Sequence, residues 1–292
     1  MAYKVLNNVS VKDVTSSDLL SLKTDLLVIV INKNTKDKVV NQLAKDVSSH
    51  LKESGSSVLV PNAKSFNAKN VLLVKGFQDS DQIHKLISMY QSIAQKGNQL
   101  KAKDISIMPG TVYPKGKCEM WLIEMVAKTI ESNVYIFSET CNKTAKKPSV
   151  KKLNILVSSL TKSDLIKAKN AAKKGYAIGE GVNSAKYLGD LPANHCTPRI
   201  IEKKVKAMTK DFPKLKVKSF NENQMKKMGM GSFLSVSRGS EEPARMMVIE
   251  YKGGKSSEKP VALVGKGVTF DTGGVSIKPS PAMDEMKWDM CG

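Results

Sequence analysis

Leu26–Ile31 reads LLVIVI. Six consecutive apolar residues make a buried strand, and they fall far short of the roughly 18 that a membrane span needs. No longer apolar run occurs in the 292 residues, so no membrane span is expected. Short runs recur on either side of longer periodic stretches. Val58–Val60 and Val71–Val74 (VLLV) read as strands. Asp81–Gln95 carries Ile83, Leu86, Ile87, Tyr90, Ile93 and Ala94 at helical spacing, with Asp81 as the expected cap. Ile105–Met108 reads as a strand, Lys117–Ile130 as a helix, and Val134–Phe137 (VYIF) and Leu153–Val157 as further strands. Strands alternating with helices predict an α/β domain with a mostly parallel sheet.

Glu139–Lys152 is polar and basic and contains Pro148, which marks an exposed loop or boundary. From Lys162 to Leu188 one long helical pattern runs through Leu165, Ala168, Ala172, Tyr176, Ile178 and Val182. It ends before Leu191-Pro192, because a residue preceding proline is pushed out of helical geometry. The expected division is therefore an N-terminal α/β domain over 1–160, then a linker helix and the start of a second α/β domain over 161–292. In the second part, Thr197 caps a helix with Pro198 at its first position. Leu215–Phe220, Met246–Tyr251 and Val261–Val264 read as strands, Asn221–Met228 as a short helix, and another helix is expected near Ala282.

Hydrophobic residues make up 41% and charged residues 25%, which excludes disorder throughout. Lys and Arg number 47 against 27 Asp and Glu, for a net charge of +20. The lysines are scattered, so the charge permits an anionic partner without designating one. Cys118, Cys141, Cys196 and Cys291 show no CxxC spacing and read as reduced thiols. The opening residues MAYKVLNNVSVKD lack the apolar segment of a secretory signal, so a cytoplasmic location is expected.

The chemistry concentrates in Val261–Gly292, VALVGKGVTFDTGGVSIKPSPAMDEMKWDMCG. A strand is expected to run into Gly265-Lys266-Gly267, followed by Asp271, Lys278, Met286 and Asp289. In open α/β sheets, ligands bind beyond the carboxyl ends of strands. Generic motifs fail: Phe270 stands where GxGxxG needs its third glycine, and neither HExxH nor GxSxG occurs. His50, His84 and His195 are isolated along the chain. Read alone, Lys266 and Lys278 would be solvated loop lysines, Asp271 a turn residue and Asp289 an exposed helix position.

The joint spacing changes that. Lys266, Asp271, Lys278 and Asp289, with the wording GKGVTFDTGGVSIKP, resemble the M17 leucyl aminopeptidase (cytosol aminopeptidase) family. LPANHCTP (191–198) and MGMGSFLSVSRGSEEPAR (228–245) resemble further landmarks of it, and FNAKNVLLVKG (66–76) does so more weakly. The resemblance implies a two-metal aminopeptidase that releases Leu-like N-terminal residues from peptides. By position, Lys266, Asp271 and Asp289 are implied as metal ligands, with Asp271 touching both ions. Lys278 is implied as the catalytic lysine and Met286 as a substrate-pocket residue. The cofactors implied are two divalent ions, Mn²⁺ or Zn²⁺, with bicarbonate as a base, and the assembly implied is a homohexamer. A lysine ligates only as a neutral amine, which burial and a neighbouring dication both favour.

The family's NTDAEGR segment, which brings further carboxylates and an arginine, is absent from the sequence. The chain is therefore expected to be an N-terminal portion of a longer enzyme, inactive by itself. Two alternatives stand beside this reading. One is a DNA-binding or structural module, in keeping with the net charge. The other is a catalytically dead homologue kept as an oligomer scaffold.

Overall fold

The computed structural model describes residues 3–292 except 33–37, 78–82, 111–112, 143 and 256. Its elements are β1 (Asn8–Asp13), α1 (Ser16–Ser21), β2 (Thr24–Ile31), α2 (Lys38–Asp46), β3 (Ser57–Pro61), β4 (Ala68–Lys75), α3 (Ile83–Gln99), β5 (Asp104–Met108), α4 (Glu119–Val134), β6 (Lys152–Val157) and α5 (Lys162–Asp190). Then follow α6 (Pro198–Met208), β7 (Leu215–Phe220), α7 (Glu222–Lys227), α8 (Gly231–Ser237), β8 (Met246–Tyr251) and a 3-10 helix, Met283–Met290. The chain forms two compact units, Lys4–Asn183 and Ser184–Gly292, the second also taking in Tyr3. The division falls inside α5, whereas the sequence reading places a boundary ahead of that helix.

Within residues 4–183, six strands form one sheet in the order β1-β6-β5-β2-β4-β3. Every pairing is parallel except β3 with β4, which is antiparallel. Leu26, Leu27, Val28 and Ile29 are fully buried at its centre. Complete burial of such side chains is worth roughly 1.5–3 kcal/mol each, so this run anchors the sheet, in register with Val71–Leu73 on one side and Ile105–Ile107 on the other. The α/β class with a mostly parallel sheet is as the alternation predicts. The helix expected over 81–95 appears as α3, and its expected cap, Asp81, lies outside the described residues.

Two expected strands do not form. Val134 is the last residue of α4, and Ile136 and Phe137 follow it in irregular chain. Val134 is buried on the helix, and its carbonyl accepts from Asn98 Nδ2 at 2.9 Å, so its hydrogen bonding goes to a side chain rather than a ladder. Val261–Val264 is also irregular, with Val261, Leu263 and Val264 87–98% exposed. A strand needs a partner for its main-chain groups. The described sheet of this unit is a two-stranded antiparallel ribbon of β7 and β8, and 261–264 pairs with neither.

Caps in this unit follow the sequence. Thr197 accepts from Ile200 N ahead of Pro198, and Asn221 with Gln224 forms a reciprocal capping box on α7. Glu202 of α6 binds Lys206 at 2.5 Å and Arg245 at 2.7 Å, and Arg199 makes two 3.0 Å bonds to Glu242. These pairs fasten the 242–245 segment to α6. Lys206 first, then Ser219, push the Glu202 carboxyl down to about 2 from its usual 4.5, against the effect of burial. A carboxylate depressed in the native state stabilises it fully above pH 4.5 and loses that contribution as pH falls towards 2. Glu202→Gln is therefore expected to flatten the acid limb of a stability profile between those values while leaving its shape near neutrality; urea melts at stepped pH measure this.

Candidate active site

The site lies within residues 265–291. Gly273 and Gly274 both have positive φ, 97° and 82°. A Cβ on Gly273 would stand 2.5 Å from the Ser276 carbonyl oxygen, so this turn demands glycine. The turn folds the chain back on itself: Lys278 N donates to Thr272 O at 2.9 Å, and Gly273 N donates to Asp271 Oδ1 at 3.0 Å. Lys278 Nζ thereby reaches Asp271 Oδ2 at 3.0 Å and Met286 Sδ at 3.3 Å. Asp271 N in turn donates to Met286 O at 3.4 Å, joining the turn to the 3-10 helix.

The second pair is Lys266 with Asp289, whose Nζ and Oδ2 face each other directly. The Lys278 ammonium, then the Gly273 N–H, hold the Asp271 carboxyl below its usual range, and the charge on Lys266 adds to this. Of the five residues that the sequence singles out, Asp271, Lys278 and Met286 meet at the glycine turn, and Lys266 meets Asp289.

Asp289 Oδ2 is buried and makes no hydrogen bond, although it lies against the Lys266 amine. A buried carboxylate oxygen left this way, converging with an amine, suits a divalent cation: both atoms can donate lone pairs to one ion once the lysine is neutral. Among the described residues no three His, Cys, Asp or Glu side chains cluster to hold a metal. The Lys266 side chain is 58% exposed.

Sequence reasoning missed Lys287, whose Nζ donates to Asp190 O at 3.0 Å, and Gly189, which lies against Cys291. Both contacts join residues about a hundred positions apart, and no periodicity or motif signals them.

A model of the catalytic domain of the cytosol aminopeptidase family matches residues 183–292. A probable cytosol aminopeptidase of Azotobacter vinelandii is 35% identical over 293 residues, covering 96% of this chain and 58% of its own. A cytosol aminopeptidase of Pseudomonas aeruginosa is 33% identical over 287 residues, with 93% and 57% covered. The chain thus spans a little over half the length of these relatives. A mutant of tomato leucine aminopeptidase superposes with a TM-score of 0.76 at 22% identity, covering 100% of this chain and 57% of the other. A bottromycin maturation enzyme solved in complex with Mn superposes at 0.70 with 21% identity, covering 92% and 53%. At those identities the two structures speak for the fold.

Proposed function

The chain belongs to the cytosol aminopeptidase family, and from that premise we propose that it supplies part of the active site of a two-metal aminopeptidase. The observation that carries this reading is the convergence of Lys266, Asp271 and Asp289, with one buried aspartate oxygen lacking a hydrogen bond, beside an Asp271–Lys278 ion pair.

In this reading Lys266, Asp271 and Asp289 would hold the divalent ions, Mn²⁺ or Zn²⁺. Bound there, such ions polarise a carbonyl and lower the pKa of water towards neutral, which makes water a usable nucleophile at pH 7. Asp271 holds Lys278 Nζ at 3.0 Å. An ammonium has three N–H donors, so Lys278 donates to a peptide carbonyl oxygen and stabilises the negative charge that develops on it. Met286, in contact with Lys278 Nζ, lines an apolar surface for the side chain of a Leu-like N-terminal residue. Homohexamer assembly and a bicarbonate base belong to the same proposal, by resemblance.

The 292-residue chain is expected to show no turnover of leucyl-p-nitroanilide with Mn²⁺, because it presents one amine and two carboxylates for two ions. Turnover that disappears in Lys278→Ala would overturn that inactivity. The aminopeptidase reading itself is tested by joining the chain to the remaining sequence of the Pseudomonas aeruginosa relative. Hydrolysis of the same substrate is then expected, with kcat falling roughly a hundredfold in Lys278→Ala. A folded, active chimera indifferent to both Lys278→Ala and Lys266→Ala would refute it.

A further inference from the structure

We propose that Lys287 is a positioning residue for Asp289, acting by tying the 3-10 helix Met283–Met290 to the C-terminal end of α5. This inference rests on the reading of Asp289 as a metal ligand. Lys287 Nζ donates to the Asp190 carbonyl at 3.0 Å. Asp190 is the last residue of α5, so its carbonyl is one of four without an intrahelical donor, and it lies at the negative end of the helix dipole. A lysine ammonium satisfies both conditions at once.

A second contact fixes the same two elements. Gly189 is buried, and a Cβ there would stand 2.8 Å from Cys291 Sγ and 3.6 Å from Trp288 Cδ1. The end of the 3-10 helix therefore lies directly on the last turn of α5, in space left by a glycine. A 3-10 helix has three residues per turn, so side chains at i and i+3 eclipse. Met286 and Asp289 share one face by that rule, and Lys287 lies a third of a turn away. With Lys287 held on α5, the helix turns Met286 towards Lys278 and Asp289 towards Lys266.

Asp289 depends on this arrangement more than an ordinary surface aspartate would. Its Oδ2 faces Lys266, a side chain that is itself more than half exposed, so main-chain placement contributes to its direction. Eight residues is long for a 3-10 helix, whose hydrogen bonds are poorly aligned. Ties from outside must hold it, and the bonds to Asp190 O and from Asp271 N to Met286 O supply them at adjacent residues.

Mn²⁺ binding to the 292-residue chain, read from the electron paramagnetic resonance signal of free Mn²⁺, tests this. Lys287→Met keeps the length and removes the donor, and is expected to weaken binding ~10-fold with an unchanged melting temperature. Lys287→Arg restores the donor and is expected to bind like the parent chain. Asp289→Asn is expected to weaken binding further. If Lys287→Met binds as the parent does while Asp289→Asn is impaired, the positioning role is wrong and the metal site stands. If Lys287→Arg is as weak as Lys287→Met and both melt early, the residue is merely structural and the inference also fails. If Asp289→Asn binds normally, or the parent chain binds no Mn²⁺ at millimolar concentration, the site reading falls and takes this inference with it.

Discussion

Gly175→Ala is expected to destabilise residues 4–183 by about 3 kcal/mol or more, beyond the usual range of overpacking. A Cβ at this position would lie 2.0 Å from the Glu124 carbonyl oxygen and 2.8 Å from its carbon. Those are main-chain atoms inside α4, so no side chain can swing aside; the helices would have to separate. Gly179, one turn on, is also tight: a Cβ there would meet the Glu131 side chain at 2.7 Å and the Lys128 carbonyl oxygen at 3.1 Å. Gly181 supplies the control, because nothing stands within 4 Å of its Cβ position. Gly181→Ala is expected to stabilise by roughly 0.5–1 kcal/mol, the helix-interior difference between the two residues. Thermal and urea melts of both variants decide the matter. Equal effects at 175 and 181 would show that α4 and α5 do not approach this closely.

These glycines also show where the sequence was legible and where it was not. LLVIVI could be read because a strand buried on both faces is apolar at every position. The helix over 83–99 could be read because its inner face repeats every three to four residues. In α5, Gly175, Gly179, Gly181 and Gly189 each argue locally against a helix, yet 29 residues remain helical. The contacts at Gly175 and Gly179 give the reason: their missing side chains admit α4, a property of the neighbour that α5's own sequence does not carry. VALV at 261–264 fails for the converse reason. Its residues suit a strand, but a strand is a paired object, and the described ribbon offers it no partner. β1 escaped notice because its partner β6 lies about 140 residues away and, of its own residues, Val11 alone is buried. The candidate residues fall within 24 positions, and one glycine turn brings Asp271, Lys278 and Met286 together. The contacts of Lys287 with Asp190 and of Gly189 with Cys291 join residues about a hundred positions apart and leave no local trace.

Glu131→Leu is the second large effect, expected at about 3–5 kcal/mol, the range for removing one partner from a buried charged contact. Nothing in the α4 sequence distinguishes this glutamate, yet it is fully buried. Its Oε1 accepts from Val5 N at 3.0 Å and Asn183 Nδ2 at 2.9 Å, and its Oε2 accepts from Leu6 N at 3.0 Å. Tyr176 adds a bond from its hydroxyl to Leu6 O at 2.8 Å, so residues 5 and 6 are gripped from both α4 and α5. Leucine fills the volume but leaves the buried N–H groups of Val5 and Leu6 without this acceptor, at roughly 1–3 kcal/mol apiece, while the Asn183 amide keeps the Glu131 main-chain carbonyl at 3.0 Å. Glu131→Gln is milder, since it keeps one acceptor while turning an NH₂ towards a main-chain N–H.

The pH dependence separates the two terms that act on this carboxyl. Burial pushes Glu131 above its usual 4.5, while the N–H groups of Val5 and Leu6 and the Asn183 amide pull it down without cancelling the rise. With the native value above the unfolded one, the native state binds the proton more tightly. The Glu131 contribution is therefore greatest below pH 4.5 and declines as pH rises through the raised native value. Glu131→Gln, which cannot titrate, is expected to remove that decline while lowering stability at every pH. Urea midpoints measured from pH 4 to 8 would show it as a smaller slope just above pH 4.5 than in the parent chain. An unchanged slope would mean that the N–H donors outweigh burial and that Glu131 serves residues 5 and 6 as a fully accommodated anion.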